Sequence, residues 1–224
     1  MFDNNDRKVA RLSSGLMDEI SATTYNLIIG IVIAYGLILN AVIVMNFSWF
    51  FRSMNYIVFL IGYFVSCIVG TVIAVSSTNP LISFLGYNLV VLPVGGLLSI
   101  FVPEYYVQDI ISAAVVTGIV VGVMTLLATV KPSIFAGLGR TLLVSLGLGI
   151  VAEIIALILG YSGNIFSWFF VILFSAYVGY DWMKAQAYPK TVDNAVDSSL
   201  DIYLDIINIF VRLLSILGKS KSRR

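Results

Sequence analysis

The sequence predicts an all-α, polytopic membrane protein: a bundle of seven transmembrane helices with the C-terminal helix at its centre. Three observations carry that prediction. Of 224 residues, 59% are hydrophobic and only 11% charged, far from the roughly 25% charge of a soluble domain. Seven stretches, at 26–45, 56–75, 81–102, 110–130, 141–160, 164–183 and 200–217, approach the roughly 20 residues needed to cross a bilayer. The last of these differs from the others because it carries charges along one face.

Taken in order, the chain opens with a polar head, residues 1–24, in which Arg7, Lys8 and Arg11 are followed by Asp18 and Glu19. No short apolar core follows the basic residues closely, and no small-residue cleavage site follows the first apolar run, so a retained cytosolic segment is expected. The transmembrane domain is expected to run from 25 to 218, and a basic tail, 219–224, closes the chain. The breaks between spans, at 46–55, 76–80, 103–109, 131–140, 161–163 and 184–199, each contain Pro, Gly, Asn or charge, as turns do. Aromatic clusters near span ends, such as Phe47 to Phe51 and Trp168 with its neighbours, read as interfacial anchors. Gly95 and Gly96 beside Pro93, and the pair Gly118 and Gly122, are candidates for close helix packing or kinks.

The distribution of charge sets an orientation. With the N-terminus in the cytosol, Arg7, Lys8, Arg11, Lys131, Arg140, Lys184 and Lys190 fall inside and only Arg52 falls in an external loop, as the positive-inside rule requires. The tail residues Lys219, Lys221, Arg223 and Arg224 would then lie outside after seven crossings. Either the first helices fix the topology, or the last segment enters and returns; seven full crossings are expected. The localisation read from this is an integral, multi-pass protein, of the plasma (inner) membrane in a bacterium.

On a helix of 3.6 residues per turn, Asp197, Asp201, Asp205, Asn208, Arg212 and Ser215 form one stripe. Leu204, Ile207, Val211 and Leu214 occupy another face, so the polar stripe must turn away from lipid, where charges are costly. The chain has no histidine, which excludes histidine triads, HExxH zinc sites and a histidine pH switch. Proton chemistry near neutral pH therefore falls to carboxylates. The single cysteine, Cys67, excludes an intrachain disulfide and a CxxC motif.

Acidic residues in or at the edges of the spans are Glu153, Asp181, Asp201 and Asp205. Asp181 lies two residues from the expected end of the sixth span, and Asp205 five residues past the expected start of the seventh. At about 1.5 Å per residue their depths match within a helical turn, so they can meet. Two carboxylates in contact share a proton and titrate as a pair, a pH sensor without histidine. With both protons lost they repel or attract a hard cation such as Ca²⁺. Glu153 and Arg212 are each thirteenth in their spans, and at equal depth they are expected to form an ion pair that closes a pathway below the aspartates.

Tyr180-Asp181, followed by Leu200-Asp201-Ile202-Tyr203-Leu204-Asp205-Ile206-Ile207-Asn208-Ile209-Phe210 and Leu213-Leu214-Ser215-Ile216-Leu217-Gly218, resembles the transmembrane Bax inhibitor motif family, also called Bax inhibitor-1-like. The match in the final helix is specific; for the first five helices it is mainly the pattern of segments. The resemblance implies a seven-helix bundle with a central seventh helix, a calcium leak across the membrane, and Asp181 and Asp205 as its pH-sensitive latch. Eukaryotic relatives are associated with suppression of cell death. Two departures stand out. The family pattern has an arginine near the end of the second helix that pairs with the aspartates, whereas here no Lys or Arg occurs between Arg52 and Lys131. In the final helix the family often has arginine where this chain has Ser215, and here the positive charge is Arg212.

The reading adopted is a pH-modulated cation leak, calcium being the expected ion, and not an enzyme. Asp181 and Asp205 form the gate and the candidate Ca²⁺ ligands, with Asp201, Asn208 and Arg212 as an accessory polar stripe and Glu153 with Arg212 setting the closed state. No cofactor is expected beyond the ion, the partners are the lipid bilayer, calcium and other membrane proteins, and no nucleic acid is involved. Three other classes stay open, one of them a proton-coupled transporter of a small solute. A regulatory or interaction protein would move no ion. An intramembrane aspartyl protease also places Tyr-Asp on a sixth helix and an aspartate on the seventh, but Asp205 follows Ile-Tyr-Leu instead of Gly-x-Gly and no Pro-Ala-Leu motif follows.

Overall fold

Local chemistry sets the helix starts. The Ser21 hydroxyl accepts from Thr24 N–H at 3.0 Å, Asn55 accepts from Ile57 and Val58 N–H, and Asn79 accepts from Leu81 N–H with Pro80 in the first turn. Each side chain satisfies backbone donors that the first turn of a helix leaves open. The structure, a computed structural model, describes residues 19–161 and 163–218; the expectations for the rest of the head and for the tail at 219–224 lie outside the described residues.

Among the described residues there are seven α-helices and no strand: α1 (Ala22–Ser53), α2 (Tyr56–Ser76), α3 (Pro80–Phe101), α4 (Val107–Val130), α5 (Leu138–Ile158), α6 (Ile165–Ala187) and α7 (Val192–Leu217). The first six are long and apolar enough to cross a membrane. The 26 residues of α7 span about 39 Å at 1.5 Å per residue. The protein is an all-α, polytopic membrane protein.

Several expected boundaries move. The expected break at 46–55 shortens to 54–55, because α1 continues to Ser53; Arg52 is therefore in its last turn instead of an external loop. The Arg52 guanidinium donates to Ile100 O at 3.0 Å and Ser99 O at 3.4 Å, carbonyls at the end of α3 that lack helical partners and attract a cation. The expected break at 184–199 shortens to 188–191. The sixth helix continues to Ala187 and α7 begins at Val192, where the Thr191 hydroxyl accepts from Asn194 N–H at 3.1 Å as a cap. Polar composition signalled a loop there, but Asp193, Asn194, Asp197, Ser198 and Ser199 are helical and buried.

The chain divides into two compact units: α1 to α3 with α7 through Tyr203, and α4 to α6 with α7 from Leu204 onward. In the first, α2 and α3 meet backbone to backbone. A Cβ on Gly70 would lie 2.6 Å from Gly86 O, and one on Gly86 would lie 2.6 Å from Gly70 O and 2.7 Å from Ala74 N. Small residues of this kind let membrane helices approach closely. Gly95 likewise sits against Asn40 and Ile43, and Gly96 against Phe51. Gly118 and Gly122 have nothing within 4 Å, so the close packing expected of that pair is absent. In the second unit, Trp182 Nε1 donates to Thr129 Oγ1 at 2.9 Å, and Gly139 packs on the Tyr180 ring. The ends of α4 and α6 and the start of α5 therefore lie together.

α7 is the enclosed element: from Asp193 to Leu214 no residue is exposed. The apolar face of Leu204, Ile207, Val211 and Leu214 is covered too, with Ile207 buried and Leu214 fully so. By contrast α2, α4 and α5 expose large apolar side chains along their lengths, among them Ile61, Val65, Ile119, Val123, Leu148 and Ile155. The Gly70 and Gly86 contact predicts that Gly86→Ala, whose methyl meets backbone, lowers stability in detergent by about 1–3 kcal/mol. Gly118→Ala, with open space around it, leaves thermal unfolding unchanged or raises it slightly.

Candidate functional site

The second unit holds the sequence-predicted carboxylates of α6 and α7. Asp181 and Asp205 are both buried, at 7% and 5% exposure. Tyr177, one turn before Asp181 on α6, lies within electrostatic reach of both carboxylates. That shared tyrosine puts both carboxylates in the neighbourhood of one α6 residue. The helix ends used to match their depths were wrong, since α6 runs four residues and α7 begins eight residues beyond the apolar boundaries. Asp181 pairs with Lys184 one turn further on, Nζ to Oδ1 2.7 Å, and the same ammonium lies 5.6 Å from the centre of the Tyr180 ring.

Glu153 and Arg212 also come together. The Arg212 guanidinium donates to both carboxylate oxygens of Glu153, Nη2 to Oε2 at 2.8 Å, in the fork geometry that makes arginine a strong partner for a carboxylate. Its carbon lies 4.3 Å from the centre of the Phe170 ring, a cation–π distance. Each side chain is about a quarter exposed, 23% for Arg212 and 25% for Glu153. Counting from helix starts would not pair them, because Val192 opens α7 far ahead of the apolar run.

The remaining stripe residues play different parts. Asn208 donates to Leu204 O at 2.8 Å on its own helix, which occupies its amide locally. Asp201 is half-buried, one turn before Asp205, and Ser215 is exposed.

Sequence reading missed a polar layer in the first unit. Asp193, Asn194, Asp197, Ser198 and Ser199 are all buried on the first turns of α7. Asp193 accepts from the Ser83 hydroxyl of α3 at 2.6 Å. The hydroxyl of Tyr25, a fully buried residue of α1, lies 3.1 Å from Ser198 Oγ. Lys190 lies over the Tyr25 ring at 4.5 Å, and burial pushes its ammonium below the usual lysine range. Farther along α1, the Asn40 amide donates to the Tyr203 hydroxyl. One signal was available: Asp193, Asp197, Asp201 and Asp205 repeat at intervals of four, so the stripe continues one turn upstream of the position where it was first read.

These features define a class: a helical, multi-pass membrane protein whose last helix carries buried carboxylates. The family described as "inhibitor of apoptosis-promoting Bax1" matches residues 18–222, and the chain belongs to that Bax inhibitor-1-like family. It is also 31% identical over 104 residues to uncharacterised proteins from two strains of Helicobacter pylori. That match spans 46% of this chain and 44% of each relative's length.

The fork geometry carries a stability prediction. Charge reversal at Glu153 or at Arg212 alone strands a charge, and is expected to cost about 2–3 kcal/mol in thermal unfolding in detergent. Reversal of both is expected to recover part of the loss, the Phe170 contact staying broken. A double variant no more stable than the sum of the two singles would show that the pair contributes nothing.

Proposed function

We propose that this chain forms a pH-modulated cation leak across its membrane, with calcium as the expected ion and with Asp181 and Asp205 as its gate. The observation that carries the reading is that Asp181 on α6 and Asp205 on α7 are both buried and lie in the same unit. Ionisable groups inside membrane spans are expensive and mark ion or proton pathways by default. Two such groups in one field titrate as a coupled pair, so the charge of the site changes with pH in steps that belong to the pair. Carboxylate oxygens are also the ligands a hard cation takes, and family membership supports the same reading.

In this proposal the roles are distinct. Asp181 and Asp205 change charge and pass the ion. Asp201, a turn toward the start of α7, attracts cations to the mouth. The Glu153 and Arg212 pair holds the closed arrangement, and Asn208, bonded to its own helix, contributes polarity without a ligand role. The basic residues Lys131, Arg140, Lys184 and Lys190 favour a cytosolic N-terminus, in the inner membrane if the host is a bacterium.

The test is flux. Purified protein is reconstituted in liposomes loaded with a calcium indicator, and entry is followed at several pH values for the wild type, Asp181→Asn and Asp205→Asn, after all three are shown to fold. A wild-type flux that changes with pH, and that loses this dependence in both variants, is the expected result. Wild-type entry no faster than in protein-free liposomes at every pH would overturn the leak and favour a non-transporting regulatory protein; peptide cleavage by the same sample would favour an aspartyl protease.

A further inference from the structure

We infer that the turn between α4 and α5 is a docking surface for the headgroup of an anionic phospholipid, held by Lys131 and Arg140. Two cations stand together where the hydrocarbon-compatible part of the chain ends. Lys131 directly follows α4, which carries no charge after Asp109, and Arg140 lies in the first turn of α5, with no further charge before Glu153. Both are exposed. Thr129 of α4 meets Trp182 of α6, and Gly139 of α5 meets Tyr180, two residues earlier on the same helix. Lys131 and Arg140 therefore flank one turn of α6.

The chain between them is a hydrogen-bonded turn. Pro132–Ile134 form a single 3-10 turn, Phe135 and Ala136 N–H donate to Pro132 O at 3.0 and 3.1 Å, and Leu138 N–H donates to Phe135 O at 3.1 Å. Gly137, at φ 84°, takes the left-handed conformation that glycine adopts without strain, and so turns the chain into α5. Phe135 is 2% exposed and packs on Gly179 of α6, whereas its neighbour Ile134 is 48% exposed. One side chain pins the turn to the bundle. The other offers apolar surface at the membrane boundary, as does the exposed Val130.

Charge and polarity together select the partner. Neither Lys131 nor Arg140 makes an ion pair or a side-chain hydrogen bond among the described residues, and Asp181, the carboxylate beside Tyr180 and Trp182 on α6, is paired with Lys184. Two exposed cations with an apolar side chain between them fit a molecule that is anionic at one end and hydrocarbon at the other. An anionic phospholipid has both parts, and a soluble anion has only the first. Basic side chains beside membrane helices attract such lipids, and the guanidinium fork matches phosphate oxygens. A zwitterionic phospholipid carries its own ammonium beside the phosphate and gains less.

The experiment uses the full-length protein in phosphatidylcholine vesicles with Trp182 as the reporter, because its indole donates to Thr129, two residues before Lys131. Trp49→Phe with Trp168→Phe leaves Trp182 as the one tryptophan; Trp49→Phe with Trp182→Phe leaves Trp168, fourteen residues back along α6, about 21 Å. Quenching by phosphatidylglycerol brominated near the headgroup end of its chains is compared with quenching by phosphatidylcholine brominated in the same way. At Trp182 the anionic lipid is expected to be preferred by about fivefold or more, since one cation near an anionic surface contributes about that factor. Lys131→Gln with Arg140→Gln is expected to bring the ratio close to one, and Lys131→Arg with Arg140→Lys, which keeps both charges, to preserve it. Both positions are exposed, so the fold is expected to survive, and Trp182 emission without brominated lipid checks this. Equal quenching by the two lipids at Trp182, a preference undiminished in the double Gln variant, or an equal preference at Trp168 would overturn the inference.

Discussion

A helix that carries four aspartates and an arginine among leucines and isoleucines can exist in a membrane only if the rest of the protein encloses it, and that constraint explains where the other helices put their surfaces. The penalty for charge in hydrocarbon is several kcal/mol per group, by contested amounts, so even partial exposure of α7 to lipid would outweigh the favourable packing of its apolar residues. The structure meets this by leaving nothing exposed between Asp193 and Leu214. Large apolar side chains are exposed instead on α2, α4 and α5, whose buried residues are few: Phe59, Gly70 and Ala74, then Ala113, Thr117 and Ala128, then Leu142 and Gly149. Aspartates at intervals of four also repel one another along the helix by a few tenths of a kcal/mol per pair. Helix stability therefore gives no reason for the stripe.

Different described contacts meet that stripe in the two units. In the first, hydroxyls and an amide take part: Ser83 on Asp193, Tyr25 with Ser198, and Asn40 on Tyr203. Tyr25, Tyr87 and Tyr203 are all fully buried, and each has its hydroxyl hydrogen-bonded, that of Tyr87 to Val32 O at 2.9 Å. A buried tyrosine supplies a large apolar body with one polar atom that must find a partner. In the second unit, two ion pairs take part: Lys184 with Asp181 and Arg212 with Glu153.

Much of this was legible in the sequence, and the errors share one cause. The fold class followed from composition and apolar runs, and those runs located all seven helices. Their ends did not follow, because hydropathy marks where a segment becomes apolar and a helix ends where its backbone loses partners. Phe47 to Phe51 and Arg52 read as an interface and a loop, yet α1 carries them helically to Ser53, since Arg52 has the carbonyls at the end of α3 to bind. Residues 192–199 read as a loop for the same reason. The pairing of Glu153 with Arg212 was nevertheless anticipated from equal counts within the apolar runs. Depth in a bilayer is set by those runs, so the count worked from the apolar boundary and would have failed from the helix start. Lys184 was read only as a cytosolic charge, because nothing in the sequence says whether a lysine near a span end turns outward or back onto Asp181. No Lys or Arg lies between Arg52 and Lys131, so the charge beside Asp181 comes from its own helix.

For the leak proposed above, the spacing of the two ion pairs matters more than either pair alone. On α6, Phe170 beside Arg212 and Asp181 beside Lys184 are eleven residues apart, about 16 Å along the axis. The buried α6 residues between them are Val171, Leu173, Phe174, Val178 and Gly179, with no polar side chain among them. On α7, the residues buried between Asp205 and Arg212 are Ile206, Ile207 and Ile209. The buried part of this stretch is thus apolar, while half-buried Tyr177 on α6 and Asn208 on α7 keep polar groups beside it. In the proposed leak, buried apolar side chains hinder an ion by denying it water, without any need for steric closure, and Asn208 is the polar group on the α7 stripe between the aspartates and Arg212. Protonation at Asp181 and Asp205 would act on one side of this stretch and rearrangement of Glu153 with Arg212 on the other, so the proposed gate has to loosen apolar packing as well as change charge.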